Sequence, residues 1–130
     1  MKSPNLVDSC GWLEYFADGA NASFFASPIE NVDRLVVPTI CILEVFKSVF
    51  RQRGESAALR AIAAMEQGRV VPLDTPISLS AAKMGVDLGM PLAESVILAT
   101  ARTHKAQIWT QDAHFRKIDG VRYIKAGGRS

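Results

Sequence analysis

Short apolar runs alternate along this chain with longer stretches whose apolar residues recur at helical spacing. Each short run is bounded by polar residues, glycine or proline, which is the pattern of a buried strand. Five strands are therefore predicted, at residues 5–9, 34–37, 69–73, 107–110 and 121–124. Because parallel strands need long crossover connections, strands that alternate with helices predict a parallel sheet inside an α/β sandwich.

The longer stretches between these runs predict helices. The first helix is capped by Asp8 or Ser9 and runs to Phe16, and the second starts at about Thr39. The next three lie between Gly54 and Gly68, between Pro76 and Gly89, and over residues 93–104. Residues 93–104 are apolar on nearly every side, which indicates a buried helix. Residues 19–31 carry no clear pattern, and Pro28 is expected to stop any helix there.

Composition and charge set broad limits on the class of protein. The chain has 130 residues, of which 48% are hydrophobic and 22% charged, and we expect a single domain over residues 1–130. The formal net charge of +2 argues against a strongly basic nucleic-acid binder. Residues 1–100 carry 8 basic and 11 acidic side chains, whereas residues 101–130, which include Arg129, carry 7 basic and 2 acidic ones. The positive charge is therefore concentrated at the C-terminal end of the chain.

Cysteine usage and the N-terminal composition predict the compartment. Cys10 and Cys41 are the two cysteines, and no Cys-x-x-Cys pattern suggests a redox motif or a thiolate zinc site. The first residues lack the apolar segment of a secretory signal, and the apolar-rich residues 36–50 are interrupted by Glu44 and Lys47. We therefore expect a reduced, cytoplasmic protein that does not enter a membrane.

Four acidic residues are candidates for a shared site. In open parallel sheets, ligands bind beyond the carboxyl ends of the strands, and Asp8 and Asp112 each follow a predicted strand. The alternative for each is that it only caps the helix or turn that follows. Glu44 belongs either to this site or to a solvated polar stripe with Lys47. Glu94 opens the buried helix, where an acid needs a cation, a donor or a metal as its partner.

Four short motifs, taken in their order along the chain, resemble a PIN domain. They are Leu6-Val7-Asp8-Ser9, Pro38-Thr39 with Glu44, Ala93-Glu94-Ser95 with Ala99-Thr100-Ala101, and Thr110-Gln111-Asp112-Ala113-His114-Phe115. Within that superfamily the chain is most similar to the VapC ribonuclease toxins of bacterial and archaeal toxin–antitoxin pairs. The resemblance covers essentially the whole chain and implies a three-layer sandwich around a parallel sheet of about five strands.

The same resemblance implies the chemistry of a Mg²⁺-dependent endoribonuclease, with Mn²⁺ as a substitute. The implied catalytic acids are Asp8, Glu44, Glu94 and Asp112. Asp8, Glu94 and Asp112 are expected to hold the metal. Ser9 and Thr110 are the implied supporting hydroxyls. Carboxylates suit this role because Mg²⁺ prefers hard oxygen ligands. Glu94 departs from the Asp that is more usual in relatives, so its carboxylate reaches one methylene further.

Three further groups of residues have candidate roles. His114 is interpreted as a surface histidine in a turn, with metal ligation as the alternative. Four basic residues either bind an RNA backbone or form a solvated basic surface. They are Arg102, Arg116, Lys117 and Arg122. Four aromatic residues are candidates for the core, and any of them that is exposed would form a groove for an antitoxin segment. They are Trp12, Tyr15, Phe46 and Phe50.

The sequence thus favours an endoribonuclease that is inhibited by a protein antitoxin, pairs with a second copy and contacts DNA only through that antitoxin. The alternative is a catalytically weak module that binds RNA or a partner, and Glu94 is the feature that supports it. A phosphotransfer domain with Asp8 as its nucleophile is disfavoured, because Cys10 stands where such hydrolases carry Asp. The chain also lacks a glycine-rich phosphate loop.

Overall fold

The computed structural model describes residues 3–127, and within them strands and helices alternate as the apolar pattern predicts. The strands are β1 (Asn5–Val7), β2 (Leu35–Pro38), β3 (Arg69–Val71), β4 (Gln107–Thr110) and β5 (Val121–Tyr123). The helices are α1 (Ser9–Phe16), α2 (Ala22–Glu30), α3 (Thr39–Arg53), α4 (Glu55–Met65), α5 (Thr75–Leu88) and α6 (Leu92–His104). One-turn 3₁₀ helices occupy Val32–Arg34 and Ala113–Phe115.

The five strands form one parallel sheet in the order β3-β2-β1-β4-β5. From β1 the chain first builds outward on one side through β2 and β3, and then returns to the other side of β1 with β4 and β5. The strand order therefore reverses between β1 and β4, where Val7 pairs with Trp109. In open α/β sheets a crevice forms at the carboxyl ends of the two strands that flank such a reversal.

The core fills both faces of this sheet. Every residue of β1 and β2 is buried, which is typical of central strands covered by helices on both sides. All seven residues from Ser95 to Ala101 of α6 are buried, which confirms the prediction that this helix is internal. The predicted α/β class, the parallel sheet and its five strands are thus confirmed.

Two local predictions are wrong. Pro28 does not stop a helix: it is the seventh residue of the nine-residue α2, and its ring is buried. A proline this close to a helix C-terminus removes the one hydrogen bond that its missing N–H would have donated, and packing of the ring offsets that loss. The second concerns Phe50, a candidate for the core, which lies on α3 and is 52% exposed. The buried positions of α3 are Cys41 and Val45.

No single helix within residues 3–127 is both long enough and apolar enough to span a membrane. In this part of the chain, α5 and α6 reach that length and composition only as a pair, bent by 118°, and the middle of α6 is buried in this domain.

Candidate active site

Asp8 and Asp112 lie together at the strand-order reversal because each one follows one of its two strands. The backbone N–H of Asp8 donates to the carbonyl oxygen of Trp109 at 3.0 Å, so the β1–β4 ladder extends to the site itself. The side chain of Thr110, at the end of β4, then joins the two acids. Its Oγ1 donates to Oδ2 of Asp8 at 2.8 Å and accepts from the backbone N–H of Asp112 at 2.9 Å.

Asp8 both caps a helix and belongs to the acidic site. Its Oδ1 accepts from the backbone N–H of Ser9 at 2.7 Å, which caps α1, while Oδ2 faces Thr110 and the thiol of Cys10, 3.4 Å away. The residue is only 4% exposed. Burial raises the pKa of Asp8 above its usual value, and the hydrogen bonds from Thr110, Cys10 and Ser9 offset part of that rise.

Glu44 reaches the site from α3 through Ser9. The hydroxyl of Ser9, the first residue of α1, donates to Oε1 of Glu44 at 2.6 Å. Because Glu44 is half-buried and accepts from Ser9, it belongs with the site and not with a freely solvated stripe that includes the exposed Lys47. The contact places Glu44 at the N-terminus of α1, directly beside the residue that follows Asp8.

Glu94 and Asp112 meet around the imidazole of His114. Nδ1 of His114 lies 2.7 Å from Oε2 of Glu94 and 3.1 Å from Oδ1 of Asp112. Oδ1 of Asp112 also accepts from the backbone N–H of His114 at 2.9 Å, which caps the turn Ala113–Phe115. One ligand atom from each of these three residues lies within 4.8 Å of the others, so together they form a group that can hold a metal ion. Asp8 and Glu44 lie outside this three-atom group.

The protonation equilibria of this group reflect burial and crowding of charge. Burial, together with the neighbouring Asp112, raises the pKa of Glu94 to about 7. Burial alone would raise the pKa of Asp112, but hydrogen bonds from Glu94 and from the His114 backbone outweigh it and hold that pKa below its usual value. The hydrogen bond to Glu94 raises the pKa of His114, and the charges of Glu94 and Asp112 add to that effect.

The residues present fit a hard divalent cation. Oε1 of Glu94 is buried and has no hydrogen-bond partner among the described residues, although the side chain as a whole is 14% exposed. An unpartnered buried carboxylate oxygen is costly, and the carboxylate of Asp112, which itself lies near Asp8, adds negative charge beside Glu94. Carboxylate oxygens are the donors that Mg²⁺ prefers, so the donor set matches such an ion.

Two contacts of the site were missed from the sequence. The thiol of Cys10 lies 3.4 Å from Oδ2 of Asp8 and 3.5 Å from Oγ1 of Thr110, although Cys10 stands in an apolar stretch of sequence. Burial raises the pKa of Cys10 to about 12, which keeps it a neutral thiol. His114 is 62% exposed, as a surface residue should be, yet it touches both acids. Its spacing of two residues after Asp112 is that of an Asx-turn, which is the signal that could have placed it there.

The candidate RNA-binding residues divide between two ends of the sheet. Arg116 and Lys117 are exposed and directly follow the turn that carries His114, so they lie beside the acids. Arg102 does not: it lines a cavity with Ser3, Gln107 and Gly120, which lie at the start of strands, at the opposite edge of the sheet. For Arg102 this position favours the alternative of a solvated basic surface over binding of an RNA backbone next to the acids.

Arg122 packs against the ring of Trp109 on one face of the sheet. Its guanidinium lies 4.6 Å from the ring centre of Trp109, a cation–π contact between adjacent strands. Arg129, counted in the basic C-terminal part of the chain, lies outside the described residues.

An apolar groove borders the site, but the four predicted aromatic residues do not line it. The groove has a volume of about 580 Å³ and runs between α1, α3 and α4 from Cys10 and Gln111 at its inner end. Its apolar lining is Leu13, Phe16, Val49, Ala57 and Ala61, and its polar rim includes Glu14, Arg53 and Arg60.

Trp12, Tyr15, Phe46 and Phe50 are placed elsewhere. Trp12 is fully buried and stacks on Phe16 at 5.7 Å, which confirms it as a core residue and excludes it from a groove. Tyr15 donates to Glu30, and Phe46 stacks with Phe50 on α3.

Solved structures with this fold come from several bacteria. A toxin–antitoxin complex from Klebsiella pneumoniae has a TM-score of 0.77 at 20% identity, covering 91% of this chain and 95% of that one. DNA-bound VapBC from Salmonella typhimurium has a TM-score of 0.73 at 13% identity, covering 95% and 98%. VapC20 from Mycobacterium tuberculosis, described as a sarcin-ricin loop cleaving toxin, has a TM-score of 0.72 at 16% identity, covering 88% and 94%.

At these identities the structural likeness establishes the fold alone. No curated protein sequence matches this chain closely enough to count as a relative. The family model of the PIN domain matches residues 6–121, from the start of β1 to the start of β5, and so includes every acid of the candidate site. With its five-stranded parallel sheet and its acids at the reversal of strand order, this chain belongs to the PIN-domain family.

Proposed function

We propose that this protein is a VapC-type toxin, an endoribonuclease that cleaves RNA with Mg²⁺ or Mn²⁺ in the cytoplasm and is inhibited by a cognate antitoxin. The single observation that carries the proposal is the meeting of acids from separate elements at one edge of the sheet. Asp8 follows β1, Asp112 follows β4, Glu94 opens α6 and Glu44 projects from α3. Toxin–antitoxin complexes among the structural neighbours support the same assignment.

Each side chain has a distinct role in this proposal. Asp8, Glu94 and Asp112 would hold the cation, directly or through water, and Thr110 would fix the carboxylate of Asp8. A divalent cation bound there supplies positive charge for the scissile phosphate and acidifies a water molecule. Glu44, held by Ser9 through one carboxylate oxygen, keeps its other oxygen to orient a water molecule.

RNA is the proposed substrate because basic side chains lie on the solvent side of the acids. Arg116 and Lys117 follow the turn next to Asp112 and are exposed, so they are placed to bind a phosphate backbone. A neighbour described as a sarcin-ricin loop cleaving toxin supports a cleavage reaction for this fold.

The test uses chain purified free of any antitoxin. Single-stranded RNA should be cleaved with Mg²⁺ or Mn²⁺ and left intact in EDTA. Asp8→Asn and Asp112→Asn should abolish cleavage, because each removes a charged ligand without changing the size of the side chain. Asp87→Asn is the matched control, since Asp87 is exposed on α5. Unchanged cleavage by both site variants would refute the assignment of the acids.

The alternative is a PIN-like module that binds RNA or a partner without efficient cleavage, and the longer side chain of Glu94 is the observation that favours it. Glu94→Asp separates the two. Activity that appears only in this variant would mean that Glu94 displaces the cation from its working position. RNA binding without cleavage in both proteins would favour the binding module.

The antitoxin is proposed to insert an apolar segment into the groove between α1, α3 and α4. The groove is apolar along its floor and ends at Cys10, beside Asp8, so a segment lying in it would reach the acids. Ala57→Arg should block that segment without touching the acids. Ala64→Arg, an exposed position on the same helix outside the groove, is the matched control. Loss of inhibition by the co-expressed antitoxin in the first variant alone supports the site, and equal inhibition of both variants contradicts it.

We also propose a homodimer, which exposed apolar side chains on the α5–α6 hairpin support. Val86 and Leu92 are 83% and 82% exposed, and Leu79 lies two helical turns before Val86. Val86→Asp should convert dimer to monomer in light scattering coupled to gel filtration. Leu59→Asp, on exposed α4, should not. A wild-type monomer at micromolar concentration would overturn the dimer.

A further inference from the structure

We propose that His114 is a ligand of the cation site, so that Nδ1 joins Oε2 of Glu94 and Oδ1 of Asp112 and gives the site a preference for Mn²⁺, Co²⁺ and Zn²⁺ over Mg²⁺. This inference rests on the proposed metal site but adds a nitrogen donor to its oxygens. The juxtaposition that carries it is the imidazole placed between two carboxylates that come from different elements.

The distances suit shared coordination. Nδ1 lies 2.7 Å from one carboxylate oxygen and 3.1 Å from the other. In an octahedral site with bonds of roughly 2.1 Å, neighbouring ligand atoms are roughly 3 Å apart. Nδ1 therefore stands from each oxygen at about the separation that neighbouring ligands of one ion adopt, and the ligand atoms of the three residues all lie within 4.8 Å of one another.

The local chain holds the imidazole at this point. Oδ1 of Asp112 accepts the backbone N–H of His114, so the turn Ala113–Phe115 is fixed to the same carboxylate that the ring touches. Phe115, the next residue, is fully buried and anchors that turn in the core. His114 itself is 62% exposed, so its ring approaches the acids from the solvent side, whereas Asp8 lies buried beneath them.

The nitrogen donor of His114 predicts which ions the site binds more tightly. Imidazole nitrogen suits first-row transition metals and Zn²⁺, whereas Mg²⁺ favours carboxylate oxygen and water. A nitrogen ligand should therefore add affinity for Mn²⁺ and Co²⁺ and very little for Mg²⁺. An ion pair between His114 and the two acids, with no nitrogen–metal bond, is the competing account of the same distances.

The composition of the chain makes this distinction measurable. It contains two histidines, His104 and His114, and His104 lies at the C-terminal end of α6, which Glu94 opens at the other end. Electron spin echo modulation of Mn²⁺ bound to tag-free protein detects a directly coordinated ¹⁴N. We expect that coupling in the wild type and in His104→Ala, and its loss in His114→Ala.

Calorimetric affinities provide a second readout. His114→Ala should weaken Mn²⁺ binding by about tenfold, the scale seen when a supporting contact of a metal site is removed. Mg²⁺ affinity should change much less, so the ratio of the two affinities should fall. Because His114 is exposed, the variant should fold normally, which its circular dichroism spectrum checks.

The other outcomes separate this inference from the proposed function. Mn²⁺ that binds the wild type without a ¹⁴N coupling, or equal weakening of Mn²⁺ and Mg²⁺ in His114→Ala, would overturn the nitrogen ligand and leave Mg²⁺-dependent cleavage untouched. Failure of the wild type to bind Mn²⁺ at all would overturn both the ligand and the metal site on which it rests.

Discussion

The buried hydroxyl of Thr110 donates to Oδ2 of Asp8 at 2.8 Å. Oγ1 of Thr110 also accepts from the backbone N–H of Asp112, so one side chain on β4 fixes both acids that follow the central strands. Neither acid has to be held by the metal for its position to be defined. The site is thus preorganised by the sheet edge, and its acids repel one another until a cation is bound.

Replacement of this hydroxyl tests how much the link contributes. Thr110→Val keeps the shape of the side chain but removes one of the three donors to the Asp8 carboxylate and leaves the Asp112 N–H without its acceptor. We expect a loss of about 1–3 kcal/mol in the free energy of unfolding, together with weaker metal binding. Urea denaturation and calorimetry measure the two effects. Thr103→Val, an exposed position on α6, is the control and should change stability by less than about 0.5 kcal/mol.

The stability of the metal-free protein should fall as the pH rises from 5 to 8. Glu94, with a pKa raised to about 7, binds a proton in the folded chain that it releases in the unfolded chain above about 4.5. Stability from this group is complete below its unfolded pKa and is lost as the pH passes through 7. The raised pKa values of Asp8 and His114 act in the same direction. The lowered pKa of Asp112 acts only at pH values below its usual range.

Urea denaturation in EDTA at several pH values measures this dependence. Glu94→Gln should flatten it, whereas Glu66→Gln, at an exposed residue after α4, should not. Saturating Mn²⁺ should also flatten it, because the cation replaces the proton on Glu94. A metal-free protein that becomes more stable from pH 5 to 8 would contradict the crowding of charge at this site.

The sequence predicts the sheet and the strand-end acids well because both follow from local patterns. The apolar runs that became β1 and β4 are short and buried, and parallel strands place Asp8 and Asp112 at one edge. Glu94 was also foreseeable, since an acid at the start of a buried helix requires a partner.

Other features depend on three-dimensional packing that the sequence pattern does not encode. The bond from Ser9 to Glu44 joins residues 35 positions apart. The charge count places Arg102 in the basic C-terminal part of the chain, but α6 carries it away from Glu94 to the opposite edge of the sheet. Helical periodicity likewise does not say whether an apolar residue such as Trp12 faces the core or a groove.

Gly11 should be required for α1 to pack closely against Phe25 and Val7, and this packing positions Asp8 and Ser9 at the start of the helix. A Cβ at this position would lie 2.5 Å from Cδ1 of Phe25 and 2.7 Å from Cγ1 of Val7. Overpacking of this kind exceeds the gain in helix propensity, so Gly11→Ala should lower the free energy of unfolding by about 1–3 kcal/mol. Gly85→Ala is the comparison variant and should destabilise the protein less, because its added Cβ would have one close contact, with Oγ of Ser95 at 3.0 Å. Equal stability of the two variants, measured by thermal unfolding, would mean that α1 shifts freely and does not constrain the acids.

The basic residues beside the acids should bind RNA, and those at the far edge of the sheet should not. Arg116→Ala/Lys117→Ala and Arg102→Ala/Lys105→Ala each remove two exposed positive charges from the C-terminal part of the chain. Fluorescence anisotropy with single-stranded RNA in EDTA measures binding without cleavage. The first double variant should weaken binding and reduce the slope of log affinity against log salt concentration by about 1.4, since two phosphate contacts are lost. The second should leave both quantities unchanged. Equal losses in the two variants would mean that RNA responds to overall charge and that the acids have no adjoining phosphate-binding surface.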